Sequence, residues 1–281
     1  MPVADFEPRN GEVGVLARTR SGSRLAGKRV MSGGRSAVTS LVLVGVAALG
    51  AFGAQARPSE KGAPPRLLVI TVANGYVHES IPTLSAAIER LGVESGLYVV
   101  ERADTNEALQ AKTTADALER YDGVVFANTS RDVPVADRKA FLAWVNAGGA
   151  VIGIHGASTL EGWPEFTALL GGQFDHHGEQ ATVRVHVGDA AHPATAHLDS
   201  FFEIHEEMYL YKGFDRSRVH MLLFLDRHPN TAEPGYYPWA WTRVHGRGRV
   251  FHTGAGHRDD IIESDWFRAH LLGGIRWALT D

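Results

Sequence analysis

The sequence predicts an α/β protein built on a mostly parallel sheet with helices on both faces. Short apolar runs typical of buried strands alternate with amphipathic helical patterns between residues 66 and 154. One run, AVIGI at residues 150–154, continues into the small-residue turn HGAST, as a strand does when it passes sharply into a helix. Beyond residue 172 the pattern changes, and it predicts antiparallel or mixed additions to the same sheet.

The first strand and the first helix have clear sequence signals. Arg66–Ala73 (RLLVITVA) is rich in apolar and β-branched residues, a composition typical of a buried strand. The helical pattern Ser80–Leu91 follows, with Ser80 as the expected N-cap and Pro82 in the first turn. Gly92 is the expected end of this helix, because glycine readily adopts the left-handed conformation that often follows a last helical turn.

Strand and helix patterns continue to alternate up to residue 154. The strand patterns are short and apolar, and the last helical pattern ends at a pair of glycines, which favour a C-terminal stop. In chain order these elements are Leu97–Val100 (strand), Thr113–Arg120 (helix), Tyr121–Ala127 (strand), Val135–Ala147 (helix) and Val151–Ile154 (strand). Such alternation predicts parallel strands joined by crossover helices.

The second half of the chain contains strand-like segments and a final helical pattern. The turn Gly246-Arg247-Gly248 between two apolar runs predicts a hairpin, and the last amphipathic stretch predicts a closing helix. The segments are Ala181–Val187, Phe201–Tyr211, Val219–Leu225, the hairpin Trp239–Thr253 and the helix Asp265–Leu279. Because they read as additions to the same sheet, we assign residues 66–281 to one domain.

The first 65 residues differ in composition from the rest of the chain. Met31 begins a segment with a short positive region, an apolar stretch over residues 37–52 and the small-residue cleavage site Ala54-Gln55-Ala56. We therefore expect residues 1–56 to be an N-terminal extension and signal peptide, with Met31 as the true start, and residues 57–65 to be a linker. This predicts a periplasmic or extracellular protein with no stable membrane span after cleavage. The alternative is an uncleaved anchor, but the apolar stretch is shorter than the roughly 20 residues that a spanning helix needs.

Composition excludes several classes of function. The 28 basic and 32 acidic residues give a net charge of −4, which offers no electrostatic basis for binding nucleic acid. The chain has no cysteine, so disulfides, thiolate metal sites and cysteine nucleophiles are excluded. No nucleotide cofactor is expected. The 14 histidines, all from His78 onward, are the main candidates for acid–base chemistry or metal binding.

Candidate site residues follow the predicted strands at their carboxyl ends, the edge at which α/β sheets bind ligands. His155 is the strongest candidate, because glycine and alanine flank it as a sharp strand-to-helix turn requires. The alternative is a histidine that only hydrogen-bonds a neighbouring loop. The other candidates at these ends are His78, Asn128, Ser130 and His257.

Two clusters in the second half raise a question of side-chain direction. In Glu206-Glu207, strand alternation would turn one carboxylate inward and the other outward, with a solvated acidic edge as the alternative. In Asp175-His176-His177, at most one histidine is expected to face a given site, and we favour His177. A buried carboxylate beside neutral imidazoles would suit either proton transfer or metal binding.

A set of short motifs resembles the trehalose-utilisation (ThuA-like) family. The motifs occur in the order found in that family and extend over residues 66–279. They are Asn128-Thr129-Ser130, GIHGAST at 153–159, LLGGxFxxH at 169–177, His192-Pro193, EEMY at 206–209, AWTR at 240–243, GxGRVF at 246–251 and Gly256-His257. The departures are small: Gly156 stands where alanine is common, and His252 where tyrosine is common.

The resemblance implies a flavodoxin-like fold similar to that of the class I glutamine amidotransferases, whose strand-to-helix turn carries a cysteine. His155 occupies that position here, so glutamine hydrolysis by a thiolate is excluded. The family is associated with the catabolism of trehalose and other disaccharides and of their keto derivatives. Its recurring positions correspond to His78, His155, His177, Glu207 and His257.

Together these observations predict an exported protein of carbohydrate catabolism with a sugar as its substrate. An enzyme is favoured, and a non-catalytic carbohydrate-binding protein is the alternative. The candidates for acid–base catalysis are His155, Glu207, His78 and His257. The candidate ligands of a divalent metal such as zinc are His155, His177 and Glu207. The candidates for sugar binding are Asn128, Ser130, Trp241 and Arg243, although aromatic residues such as Trp241 more often pack in a core.

Overall fold

The structure is a computed structural model that describes residues 62–280. Nine of its strands form one sheet and two others form a small second sheet. The strands are β1 (Arg66–Ile70), β2 (Val99–Ala103), β3 (Gly123–Ala127), β4 (Ala150–Ile154), β5 (Gln173–His176), β6 (Ala181–Val187), β7 (Phe201–Glu206), β8 (Leu210–Lys212), β9 (His220–Arg227), β10 (Pro234–His245) and β11 (Gly248–Thr253). The predicted extension and signal peptide, and positions 57–61 of the predicted linker, lie outside the described residues.

Seven α-helices and two short 3₁₀ helices, at His155–Thr159 and Arg216–Arg218, accompany the strands in residues 62–280. The α-helices are α1 (Ile81–Ser95), α2 (Asn106–Lys112), α3 (Ala115–Leu118), α4 (Arg138–Asn146), α5 (Pro164–Leu170), α6 (Asp259–Ile262) and α7 (Asp265–Leu279). Across this described range, every helix is too short or too polar to span a membrane.

The main sheet has a parallel half and an antiparallel half. Its strand order is β2-β1-β3-β4-β11-β10-β9-β6-β7. The first five strands in this order pair in parallel, and the remaining four are added by antiparallel pairing. The predicted α/β class is therefore confirmed, as are the antiparallel additions in the C-terminal half. The second strand of the predicted hairpin, β11, also pairs in parallel with β4 and so extends the parallel half.

Alternate residues of the central strands enter two apolar layers, one on each face of the sheet. In β1, Leu67 and Val69 belong to one layer, whereas Leu68 and Ile70 belong to the other. Helices α1 and α7 contribute to the first layer, and α4 and α5 to the second. Because both faces are covered, these strands are continuous apolar runs in the sequence rather than alternating ones.

Two differences from the helix boundaries predicted from the sequence have a clear structural reason. Gly92 does not end α1, which continues to Ser95 and is capped by Gly96 with a φ of 64°. Gly92 instead allows close packing, because a Cβ at this position would lie 2.7 Å from the ring of Tyr98. The helix predicted at Thr113–Arg120 is the shorter α3, and α2 precedes it; a threonine side chain caps the N-terminus of each.

The strand predicted at Phe201–Tyr211 is divided into β7 and β8. β7 belongs to the main sheet, while β8 pairs with β5 in the second sheet. The three residues between them leave the main sheet, and Glu207 and Tyr209 are among these three. This interruption brings both side chains to the loops that carry the histidines.

Candidate active site

The turn after β4 holds His155 in a conformation that few side-chain-bearing residues adopt. His155 begins a 3₁₀ helix directly after the strand, with a left-handed φ of 42°. Space beside it is limited, since a Cβ at Gly156 would lie 3.1 Å from the backbone of Asn128. The imidazole is fully buried, and its Nδ1 lies 2.8 Å from the carbonyl oxygen of Gly254. Because a carbonyl only accepts hydrogen bonds, we assign the proton to Nδ1, which leaves a lone pair on Nε2.

Four loops each bring one side chain to a common point. His78 follows β1, His155 follows β4, Glu207 follows β7 and His257 follows β11. One ligand atom from each residue lies within 4.8 Å of the corresponding atoms of the others. We call these four residues the histidine–glutamate cluster. The three histidines meet because β1, β4 and β11 are parallel strands whose carboxyl ends share one edge of the sheet.

Glu207 lies at the centre of the histidine–glutamate cluster. Its Oε2 lies 3.3 Å from Nε2 of His155 and 3.3 Å from Nδ1 of His257. Its Oε1 lies 3.2 Å from Nδ1 of His177, whose ring is partly exposed. His177 Nδ1 also lies 2.8 Å from the carbonyl oxygen of Gly178. His177 therefore contacts the outer side of Glu207, and the other two imidazoles contact its inner side.

No proton lies between Nε2 of His155 and the carboxylate of Glu207. Burial lowers the pKa of His155 despite its contacts with the Glu207 carboxylate and the Gly254 carbonyl, so the ring is neutral. Burial alone would raise the pKa of Glu207, but the contacts with His155 and His257 hold it well below its usual range. A lone pair therefore faces an ionised carboxylate across 3.3 Å. A cation at this point would satisfy both groups.

Two further nitrogens of the cluster, Nδ1 of His78 and Nδ1 of His257, are buried without a hydrogen-bond partner among the described residues. Burial, with smaller contributions from His155 and His257, lowers the pKa of His78 to about 3. His78 Nε2 lies 3.3 Å from the Tyr209 hydroxyl, so Nδ1 is the nitrogen left for the cluster. The contact with Glu207 raises the pKa of His257. Imidazole nitrogens around one carboxylate fit the ligand preferences of zinc and similar ions.

A cavity of about 720 Å³ opens onto the cluster. This volume lies within the usual range for small-molecule sites. His78, Glu207 and Tyr209 line its wall together with His177 and Tyr76. The Tyr209 ring also stacks on that of His155, with 3.9 Å between the ring centroids. The cluster is therefore accessible to a ligand from this cavity, while His155 lies fully buried behind it.

Two of the predicted sugar-binding residues lie near the cluster in different roles. Ser130 lines the cavity, and its hydroxyl donates to the Tyr76 carbonyl. Asn128 is fully buried, and its side-chain amide donates to the Gly256 carbonyl at 2.9 Å. Its side-chain oxygen accepts the N–H of Gly156. Asn128 thus connects the loop of His257 to the turn of His155.

The other two predicted sugar-binding residues lie on β10. Trp241 is fully buried, and its indole N–H donates to the Leu170 carbonyl at 2.8 Å. The Arg243 guanidinium donates to the Ala168 carbonyl at 2.6 Å. Both residues attach the end of α5 to the sheet, and neither lines the 720 Å³ cavity.

The Glu206-Glu207 pair follows strand alternation only in part. Glu207 alone meets the imidazoles, but Glu206 is fully buried rather than exposed, contrary to the expectation. Its Oε1 accepts the N–H of Glu207 at 2.9 Å, and burial raises its pKa to about 7. Tyr209 was absent from the sequence-based candidates. Its spacing of two from Glu207 is the signal that could have suggested it, although the chain leaves the sheet there.

Comparison with known proteins agrees with this architecture. The chain matches the family described as ThuA, trehalose utilisation, over residues 66–278. The chain belongs to the ThuA family. The match confirms the resemblance carried by the motifs and covers every residue of the histidine–glutamate cluster. No curated protein matches this ThuA-family chain.

Several solved structures are similar to this ThuA-family chain. A ThuA-like protein from Bacteroides uniformis is 22% identical with a TM-score of 0.64, over 79% of this chain and 94% of that one. A ThuA-like protein from Parabacteroides merdae is 21% identical with a TM-score of 0.64, over 77% and 90%. A cytoplasmic protein from Salmonella typhimurium is 12% identical with a TM-score of 0.53, over 76% and 98%. At these identities the similarity demonstrates a shared fold.

Proposed function

We propose that this ThuA-family protein is an exported, metal-dependent enzyme of carbohydrate catabolism that acts on a disaccharide or keto-glycoside. The observation that carries the proposal is that three buried imidazole nitrogens, each without a hydrogen-bond partner in the described residues, surround the ionised carboxylate of Glu207. The residues that would hold the ion are His78, His155, Glu207 and His257. His177 is not in this set, because its Nδ1 donates to the Gly178 carbonyl and faces only the outer carboxylate oxygen.

A bound ion would polarise a substrate carbonyl or activate a water molecule. The remaining groups at the cavity suit proton transfer. Because Nδ1 of His177 donates to Gly178, its Nε2 has a lone pair that can take a proton from the carbon beside a carbonyl. Burial, aided by the nearby Glu207 charge, raises the pKa of Tyr209, so its hydroxyl keeps a proton that can pass to a departing glycosidic oxygen.

Removal of the proton beside the carbonyl and departure of the glycosidic oxygen together make an elimination. This reaction needs no covalent nucleophile, which agrees with the absence of cysteine from the sequence. The same groups favour catalysis over simple sugar binding. A protein that only binds sugars gains most from aromatic faces and from amides and carboxylates that hydrogen-bond hydroxyl groups. This cavity has such aromatic and carboxylate groups, and it has in addition two imidazoles, His78 and His177, beside the Glu207 carboxylate. Sugar binding alone does not need an imidazole–carboxylate cluster, whereas proton transfer and metal-assisted chemistry do.

The first test is turnover of the mature protein with keto-disaccharides and their parent sugars, followed by NMR with and without a chelator. We expect conversion of at least one sugar class and its loss when the chelator removes the ion. Protein purified without a histidine tag should contain close to one equivalent of a transition metal, and less than about a tenth of an equivalent would contradict the metal-dependent route. Binding of a sugar with no turnover would support the carbohydrate-binding alternative.

Adjacent glutamates offer a matched pair of variants. Glu207→Gln removes the charge at the centre of the cluster and should lower metal content by roughly tenfold or more. Glu206→Gln changes a neighbouring buried carboxylate that contacts the backbone of Glu207 and lies outside the cluster, and it retains the oxygen that accepts that N–H. It should keep the metal. Equal loss in both variants would show that metal content depends on the segment rather than on the ligand.

A further inference from the structure

Three strained residues lie together at the carboxyl ends of β3 and β4. Asn128, Arg131 and His155 have φ values of 52°, 60° and 42°. In the described part of the chain the other non-glycine residue with a positive φ is Ala232, in the turn between β9 and β10. Strained conformations of this kind persist where the surrounding structure enforces them, and they are concentrated at functional sites. Asn128 and His155 already have positioning and cluster roles, so Arg131 remains to be explained.

The backbone around Arg131 is fixed by its neighbours. The carbonyl oxygen of Ser130 accepts the N–H of Asn74 at 3.1 Å, and the carbonyl oxygen of Arg131 accepts the N–H of Glu161 at 3.3 Å. The side-chain amide of Asn74 donates to the Asp132 carbonyl at 2.8 Å. Three consecutive carbonyl groups are therefore held by other loops. These contacts set the direction in which the Arg131 side chain leaves the backbone.

The Arg131 side chain lines the same 720 Å³ cavity as Glu207 and Tyr209. It is exposed, and its guanidinium has no ion pair or hydrogen bond with any residue between 62 and 280. Gly75 leaves room for it, because a Cβ there would lie 3.1 Å from the Cβ of Arg131. Lys212, another cation of this cavity, lies 3.6 Å from Asp175. Arg131 is therefore a cation with free donors on the cavity wall.

We propose that Arg131 is a specificity-determining residue that binds two neighbouring hydroxyl oxygens of an uncharged sugar. This inference rests on the proposed function. The planar guanidinium presents donors in a fixed fork, which matches a pair of oxygens on adjacent carbons. Glu161 and Asp175 on the cavity wall offset Arg131 and Lys212, so the side chains of the wall form no positive patch that would favour an anionic ligand. The fixed backbone sets where the Arg131 side chain leaves the loop, at the wall of the cavity.

The test uses a variant for which a structural role and a binding role predict opposite results. Arg131→Gly removes the guanidinium and also relieves the left-handed strain. We expect the dissociation constant and KM for the sugar to rise roughly tenfold or more, while the midpoint of urea unfolding stays level or rises. Ala232→Gly is the matched control, since it relieves the same kind of strain at an exposed residue away from the cavity. It should raise the unfolding midpoint and leave sugar binding unchanged.

Arg131→Lys separates charge from geometry. Lysine keeps the positive charge but cannot present two donors in a fixed fork. The variant should therefore bind a sugar with adjacent hydroxyls much more weakly than the wild type does. Its affinity for the matching deoxy sugar should be close to that of the wild type. Retention of affinity by Arg131→Lys would contradict the two-oxygen contact. Tighter binding of a sugar acid than of the neutral sugar by the wild type would contradict the uncharged-ligand class.

The outcomes for Arg131 and for the proposed function are distinguishable. Wild-type turnover with unchanged kinetics in Arg131→Gly would overturn the role of Arg131 and leave the enzyme proposal intact. Loss of binding together with a lower unfolding midpoint would show that Arg131 is structural. Calorimetric binding of a sugar that is lost in Arg131→Gly, with no turnover by the wild type, would support the Arg131 contact and overturn the enzyme proposal.

Discussion

His155 combines a strained backbone with a fully buried ring, and both properties bear on its replacement. Alanine at this position removes one nitrogen from the cluster and leaves the Gly254 carbonyl without its donor. We expect turnover of the sugar to fall by roughly 10²-fold or more. The free energy of unfolding should fall by about 1–3 kcal/mol, which leaves the variant folded. Steady-state kinetics and urea unfolding measure the two effects separately.

The control for His155→Ala is His205→Ala, which removes an exposed imidazole on β7 that lies outside the cluster. It should retain wild-type turnover. Full activity in His155→Ala would show that the chemistry lies elsewhere, with His78, Glu207 and His257 as the next residues to test. Complete unfolding of His155→Ala would instead show that the buried ring is mainly structural.

At the scale of the element, α1 distinguishes two reasons for a glycine. Gly92 lies within the helix, where a Cβ would lie 2.7 Å from the Tyr98 ring and 2.8 Å from the Tyr98 carbonyl oxygen. Gly96 caps the helix with a φ of 64°, and a Cβ there would have no neighbouring atom within 4 Å. We expect Gly92→Ala to lower the free energy of unfolding by about 1–3 kcal/mol through overpacking. Gly96→Ala should lower it by about 1 kcal/mol through backbone strain.

Urea unfolding of Gly92→Ala and Gly96→Ala gives the comparison directly. The two variants make the same chemical change four residues apart on one helix, so each is the control for the other. A larger loss of unfolding free energy in Gly96→Ala than in Gly92→Ala would contradict this expectation. It would mean that the Tyr98 ring moves aside easily to accept a Cβ at Gly92.

The contact of α7 with the sheet predicts a pH dependence of stability. His270 is fully buried, with Nδ1 2.8 Å from the Ala194 carbonyl and Nε2 3.2 Å from the Thr253 hydroxyl. Burial lowers its pKa from 6.5 to about 4. The unfolded chain therefore binds a proton at a higher pH than the folded chain. The stability from the neutral ring is complete above pH 6.5 and is lost as the pH falls towards about 4.

The size of this effect follows from the lowered pKa of His270. A tenfold change in proton affinity corresponds to about 1.4 kcal/mol, so His270 should account for about 3 kcal/mol of the stability lost between neutral and acid pH. His270→Gln removes the titrating group, so the free energy of unfolding should fall less steeply as the pH is lowered. The slope should correspond to about one fewer proton taken up on unfolding. A variant with the full wild-type slope would show that other groups cause the acid destabilisation.

At the scale of the whole molecule, the parallel half of the sheet was predictable because burial on both faces leaves continuous apolar runs such as GVVFA and AVIGI. The same logic placed His78, His155 and His257 near one another, since each follows a strand that belongs to one edge. The core packing of Trp241 and the left-handed backbone of Arg131 could not be predicted from the pattern of apolar runs. An aromatic on a strand has the same sequence signal whether it packs in the core or faces a ligand, and a left-handed φ at an arginine has no sequence signal at all.

Export is a prediction about the whole chain, and it depends on the segment from Met31 to Ala56 alone. The apolar stretch at residues 37–52 suits a signal peptide, because it is shorter than the roughly 20 residues of a spanning helix and precedes a small-residue cleavage site. A chain expressed from Met31 in a bacterial host should therefore accumulate in the periplasm, trimmed near Ala56. A chain that starts at Arg57 is the control and should stay in the cytoplasm. Mass spectrometry of the two fractions decides the matter, and cytoplasmic protein at full mass from Met31 would overturn both the signal peptide and the exported function.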